Sequence, residues 1–166
     1  MPPPPIGDLT VDRVEPTALQ EVRKLIAAGQ GKQALARAES HLAKNPRDAQ
    51  MRFVRGVILT DLSETAAALG AFQQLIDDFP ELPEPYNNLA VLYAAAGELD
   101  RARLTLEMAL LAKPDYATAH ENLGDVYLQM ATEAYQRASA LQPTNRAISA
   151  KLNLTREIVT KTRAAR

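Results

Sequence analysis

Three prolines divide this chain at regular intervals. Pro46, Pro80 and Pro114 follow one another at equal intervals of about 34 residues, and each one closes a segment whose composition suits a helix. Proline disfavours helical geometry in the residue before it and cannot donate to the helical hydrogen-bond ladder, so it is a natural helix stop. A fixed period of this kind predicts an array of stacked structural units rather than one large globular core.

Apolar residues recur with the same period. The most complete pattern covers residues 83–116, where they fall at helical spacing on two segments that flank a bend at Gly97. Abundant alanine supports a helical interpretation, because alanine is the best helix former. The apolar positions are Tyr86, Leu89, Ala90 and Tyr93, followed by Ala102, Leu106 and Ala109.

This period and these residue classes resemble the tetratricopeptide repeat, and the chain is similar to small bacterial proteins of that family, including periplasmic ones linked to envelope or pilus assembly. The resemblance implies an all-α fold. It would be a right-handed superhelix of stacked antiparallel helix pairs, closed by a C-terminal capping helix. The expected segments are a Pro-rich extended stretch (1–14), four units (15–48, 49–82, 83–116 and 117–145), and a capping helix with a basic tail (146–166).

The first two units match this pattern less fully. Arg52 and Arg55 occupy positions of the second unit that are usually apolar. The first unit is weaker still, as expected at the end of a stack where one side faces water. Thr17 and Gln20 have the spacing of a capping box and predict where its first helix begins.

The fourth unit is too short for two helices and a turn. The interval from Pro114 to Pro143 is five positions shorter than the preceding intervals, and the gap falls between Tyr127 and Ala131. No Gly, Pro or Asn is present there to reverse the chain. We therefore predict one helix from about 118 to about 141; the alternative is a cramped pair with a turn near Gln129. A merged helix would offer a face to a second copy, which makes a homodimer a hypothesis.

The resemblance also implies a concave groove lined by the first helix of each unit, in which another protein or a peptide binds. For Phe53, Val57 and Val91 the alternative is packing under the N-terminal segment. Asn88 and Asn122 could bond a ligand backbone or serve local helix packing. A clamp for a terminal carboxylate is disfavoured, because only Arg23 could serve in it. The candidate groove residues are Leu19, Arg23, Phe53, Val57, Asn87, Asn88, Val91, Glu121, Asn122 and Asp125.

Several classes of function are disfavoured by the sequence. A net charge of −1 gives no basic domain for nucleic acid, and no apolar run approaches the roughly 20 residues of an integral membrane segment. The two histidines lack a second ligand at helical spacing, and no phosphate-binding loop is present. We expect no enzyme activity, no cofactor and no metal. With no cysteine and no signal peptide, periplasm (after loss of a leader) and cytoplasm both stay open.

Three functions remain for such a chain. The leading prediction is a protein–protein interaction adaptor that binds a peptide or helix in its groove. The first alternative is self-association through the long fourth-unit helix. The second is attachment to an anionic surface through the basic last helix, which Thr144 or Asn145 should cap and which should run to about Lys161.

Overall fold

The computed structural model describes residues 17–164, with side chains described to residue 162. The predicted segment 1–14 therefore lies outside the described residues, as does any packing of groove residues beneath it. Within the described range the chain forms α-helices that pack in sequential antiparallel pairs. They are α1 (Ala18–Ala27), α2 (Gly31–Lys44), α3 (Ala49–Asp61), α4 (Thr65–Asp78), α5 (Pro83–Ala95), α6 (Leu99–Ala112), α7 (Ala117–Leu141) and α8 (Arg146–Ala164).

Local side-chain chemistry explains where several helices begin. The predicted capping box is confirmed, since Thr17 and Gln20 exchange both of its hydrogen bonds at the start of α1. Asp48 Oδ1 accepts from the backbone N–H of Met51, 3.0 Å away, and caps α3. Asn145, one of the two predicted caps, accepts from two backbone N–H groups in the first turn of α8. That helix ends at Ala164, three residues beyond the expected Lys161.

The turns inside the first three units have the same period as the prolines. Gly29, Ser63 and Gly97 have φ angles of 70°, 60° and 78°, and each follows the previous one by a single repeat period. A residue in this left-handed region lets the chain leave one helix and reverse into the next. Among the described residues no other has a positive φ. The fourth unit therefore contains the single helix α7, of 25 residues, rather than two helices with a turn near Gln129.

The core follows the repeat. Ala34, Ala68 and Ala102 occupy the same position of successive second helices, and each is 0% exposed. Gly56 shows how tightly the paired helices pack, because a Cβ built there would lie 2.6 Å from the ring of Phe72. Only glycine fits at that contact, because the ring of Phe72 on α4 packs directly against the backbone of α3.

The two arginines at apolar positions of the second unit take part in polar contacts. Arg52 forms an ion pair with Asp78 at 2.6 Å and donates to the backbone carbonyl of Gln74. Arg55 reaches back to Glu39 on α2, at 3.3 Å. The outer groove between α2 and α4 is therefore lined largely by charged groups.

Candidate functional site

We call the side of the stack formed by the first helices of the units, α1, α3, α5 and the first half of α7, the inner face. A cavity of about 480 Å³ opens at the N-terminal end of this face, and we call it the N-terminal cavity. It contains two candidate groove residues, Arg23 and Phe53. Its lining is Arg23, Ala49, Gln50, Phe53, Val54, Leu82, Glu84 and Pro85.

The N-terminal cavity has a fixed apolar floor and a charged rim. The ring of Phe53 is half-buried and packs on the core ring of Phe72, with centroids 5.9 Å apart and planes tilted by 53°. This contact fixes the Phe53 ring while part of it stays accessible. Arg23 is exposed and Glu84 half-buried, so a cation and an anion both lie beside the apolar floor. An apolar side chain flanked by polar backbone would suit this arrangement.

A second, smaller cavity of about 180 Å³ lies where α5, α7 and α8 meet, and we call it the C-terminal cavity. It brings together three other candidates, Val91, Asn122 and Asp125. Part of its wall comes from Val159 and Thr162 of α8. Neither Val159 nor Thr162 was among the predicted groove residues. The sequence predicts a last, capping helix, but nothing local indicates which side of α7 that helix packs against.

The predicted asparagines mostly serve the packing of the helices. Asn87 is 5% exposed, and its Oδ1 accepts from Asn122 Nδ2 at 2.8 Å. This bond joins α5 to α7 and satisfies a buried amide oxygen. Asn88 Nδ2 donates to the backbone carbonyl of Glu84 in its own helix, at 2.9 Å. Of the two uses weighed for Asn88 and Asn122, the bonds present here are those of local helix packing.

The remaining candidates line neither cavity. Leu19 and Val57 are half-buried and pack against the hydrophobic core, and Glu121 is exposed on α7. Val91, which lines the C-terminal cavity, is 37% exposed and presents an apolar side chain there. The structure thus gathers five of the ten candidates into two cavities. The other five line neither cavity: Leu19, Val57, Asn87, Asn88 and Glu121.

Both histidines are engaged with neighbouring oxygens. His41 Nε2 lies 2.8 Å from Asp48 Oδ2, and His120 Nε2 lies 2.8 Å from the backbone oxygen of Pro114. The backbone N–H of Met51 and the nearby imidazole of His41 lower the pKa of the Asp48 carboxyl below its ordinary value of 3.8. In residues 17–164 no three His, Asp, Glu or Cys side chains gather as metal ligands would. None of the described helices combines the length and apolar character needed to cross a membrane.

Known proteins resemble this chain in sequence and in fold. Two family models, both described as tetratricopeptide repeat, match residues 19–83 and 59–123. The tetratricopeptide repeat domain-containing protein PYG7, chloroplastic, of Arabidopsis thaliana is 30% identical over 133 aligned residues. The match covers 69% of this chain and 44% of that protein, so the chain spans less than half of its relative. This relative is a plant protein, so the bacterial origin expected for the chain is not established.

Two solved structures have the same fold. TTC0263, a tetratricopeptide protein of Thermus thermophilus, is 25% identical with a TM-score of 0.62, over 83% of this chain and 79% of its own. The first tetratricopeptide domain of Spaghetti (RPAP3), solved bound to an HSP90 peptide, is 17% identical with a TM-score of 0.63, over 69% and 93%. Domains of this kind are typically protein–protein interaction modules and usually non-catalytic. With a matching repeat period, matching family models over residues 19–123 and the same stacked helix pairs, the chain belongs to the tetratricopeptide repeat family.

Proposed function

We propose that this chain is an adaptor that binds an extended segment of a partner protein along the inner face of α1, α3 and α5. The observation that carries the proposal is the N-terminal cavity, where the fixed ring of Phe53 lies beside a cation and an anion. A few anchored aromatic and arginine side chains usually supply most of the affinity of such a surface. The RPAP3 domain, which has the same fold, was solved with a bound peptide and is a precedent for this kind of ligand.

The position of α8 limits where the partner segment lies. Val159 and Thr162 line the C-terminal cavity together with Val91 and Asp125, so the C-terminal end of the inner face has a helix of the same chain beside it. The N-terminal cavity has the larger volume and is bordered by α1, α3 and α5. We therefore assign the main anchor of the partner to the N-terminal cavity and a minor contact to Val91.

The test is a pair of matched charge reversals on α1. Peptides would be selected from a random display library on the intact chain, and their Kd measured by isothermal titration. Arg23→Glu reverses a charge in the N-terminal cavity, whereas Lys24→Glu reverses a likewise exposed charge on the neighbouring residue, which does not line it. We expect Arg23→Glu and Phe53→Ala to weaken binding by about tenfold or more and Lys24→Glu to leave it within about twofold.

Circular dichroism must show the same helical content in all four chains, because Phe53 also contacts the core. If peptides bind equally to the intact, Arg23→Glu and Phe53→Ala chains, the N-terminal cavity is not the site. Equal losses with Arg23→Glu and Lys24→Glu would point to general electrostatic attraction and would also contradict the proposal.

A further inference from the structure

One face of α7 combines the residue patterns of two different helices. His120, Gly124 and Tyr127 match the residue classes expected in the first helix of a repeat unit. Ala131, Tyr135 and Ala138 match those expected in the second helix. All six lie at successive spacings of three or four residues, so they share one side of the continuous helix. We call these six residues the α7 stripe.

The first half of the α7 stripe lacks the neighbour that its equivalents have. Gly124 follows Ala90 by one repeat period and Gly56 by two. Ala90 is 0% exposed, and Gly56 lies under the ring of Phe72 from the paired helix. A Cβ built on Gly124 would meet no described residue within 4 Å, and Tyr127 one turn later is 49% exposed. In the part of the chain that the structure describes, the place that a fourth-unit second helix would occupy against α7 is therefore open.

The second half of the α7 stripe is correspondingly under-packed. Its spacing of four and then three residues matches that of Ala102, Leu106 and Ala109 on α6, which are at most 1% exposed. Ala131, Tyr135 and Ala138 are only half-buried, with the ammonium group of Lys151 placed 5.8 Å from the Tyr135 ring centre. These residues have the pattern of a buried second helix without the first helix that would bury them.

The two halves of the α7 stripe cannot pack against each other within one chain. The structure has a single helix through residues 117–141, and eleven residues separate Gly124 from Tyr135, which places them about 16 Å apart along one axis. Loss of a turn between two helices that would otherwise fold back on each other is the condition under which identical elements are exchanged between copies.

We propose that the α7 stripe binds the α7 stripe of a second copy in antiparallel orientation. Paired helices of a unit are antiparallel, so this arrangement places the first half of each stripe against the second half of the other. Gly124 then meets Tyr135 of the second copy, as Gly56 meets Phe72 within one chain, and the two-fold axis passes between Gln129 and Met130. The six stripe residues include no Asp, Glu, Lys or Arg, so they do not oppose like charges of their own; the cation beside Tyr135 is Lys151 of α8.

The first test measures molar mass by sedimentation equilibrium over a wide range of protein concentration. We expect the intact chain to form a dimer and Gly124→Arg to remain a monomer, because the new side chain fills the place of the Tyr135 ring. Gly70→Arg is the matched control: it too is an exposed helical glycine with nothing within 4 Å of an added Cβ, and it lies on α4. An intact chain that is monomeric throughout, or a dimer that survives Gly124→Arg, overturns the proposal.

The second test fixes the orientation of the helices. The chain has no cysteine, so one batch would carry Gly124→Cys and another Tyr135→Cys, and a short bismaleimide would be added to each batch and to their mixture. We expect a covalent dimer mainly in the mixture, since identical positions are far apart across the two-fold axis. Equal cross-linking within each single batch would contradict antiparallel pairing.

A third variant restores the missing turn. Insertion of five residues that include a glycine after Leu128 should let the second half of α7 fold back onto the first, and the chain should become monomeric without loss of helical content. A dimer as stable as that of the intact chain would place the interface elsewhere and overturn the assignment.

Discussion

The third and fourth units contain the same classes of apolar residue, yet they form different structures. In the third unit a turn at Gly97, with φ 78°, lets α6 fold back on α5, and Leu106 becomes 1% exposed. In the fourth, five residues are missing, and the equivalent Tyr135 stays half-buried on a continuous helix. The difference shows that an apolar pattern determines which side chains need a neighbour, whereas the connection determines whether the same chain can supply it.

The largest effect on the free energy of unfolding is expected when the equivalent large side chain of each unit is truncated. Leu106→Ala should lower the free energy of unfolding by about 2–5 kcal/mol, because it leaves a cavity in a packed core. Tyr135→Ala should cost at most about half as much, because that ring is already partly in water. Urea denaturation, performed at concentrations where the chain is monomeric, measures both. Equal losses would show that the fourth unit is packed as well as the third.

A smaller effect, of opposite sign in the two units, is expected at their glycines. Gly97→Ala forces a Cβ into the left-handed region and should lower the free energy of unfolding by about 1–2 kcal/mol. Gly124→Ala sits in a helix with open space around it and should raise that free energy by about 0.5–1 kcal/mol. Thermal unfolding of both variants, again at concentrations where the chain is monomeric, checks the signs. Destabilisation by Gly124→Ala would mean that the helix is interrupted there after all.

The smallest effect concerns how the first helices of the units begin. Asp48 caps α3 with a carboxylate, whereas α5 and α7 have no side-chain cap. Because folding lowers the Asp48 pKa, the charged cap stabilises the native state above pH 3.8, and this stabilisation is lost as the pH falls through the folded pKa. We expect Asp48→Asn to cost about 0.5 kcal/mol near neutral pH and nothing in strong acid. A difference that persists unchanged in acid would contradict a charge-based role.

Most of the fold could be predicted from the sequence, because its determinants are either adjacent residues or the repeat period itself. Proline spacing marked the helix ends, the Thr17 and Gln20 pair marked the start of α1, and the short interval before Pro143 marked the single helix α7. The capping box depends on a few adjacent residues, and the proline intervals can be counted along the chain without knowledge of tertiary contacts. The turn at Ser63 is different, because a serine gives no local signal of a positive φ and only the repeat period marks its place.

Less of the candidate site could be predicted from the sequence, because the site depends on contacts between distant segments. Repeat positions placed Arg23 and Phe53 on the inner face, but they could not show that Asn87 would be buried and bonded to Asn122. They also gave no information on α8, whose Val159 reaches the C-terminal cavity. Side-chain rotamers and the path of a terminal helix are set by tertiary packing, which a repeat pattern does not encode.

The arginines of α3 also bear on how the array opens. In repeat proteins each unit contacts only its neighbours, so the seams between units set the order of local unfolding. Arg55 and Glu39 contribute an ion pair to the seam between the first two units, whereas the matching groove between α4 and α6 is lined by Tyr86 and Leu89. Ion pairs at a surface weaken with salt and apolar contacts do not. The seam of the first unit, which supplies Arg23, therefore combines buried apolar contacts with one salt-sensitive ion pair. Opening at the end of the array that carries the N-terminal cavity should thus respond to ionic strength more than opening at the seam between the second and third units.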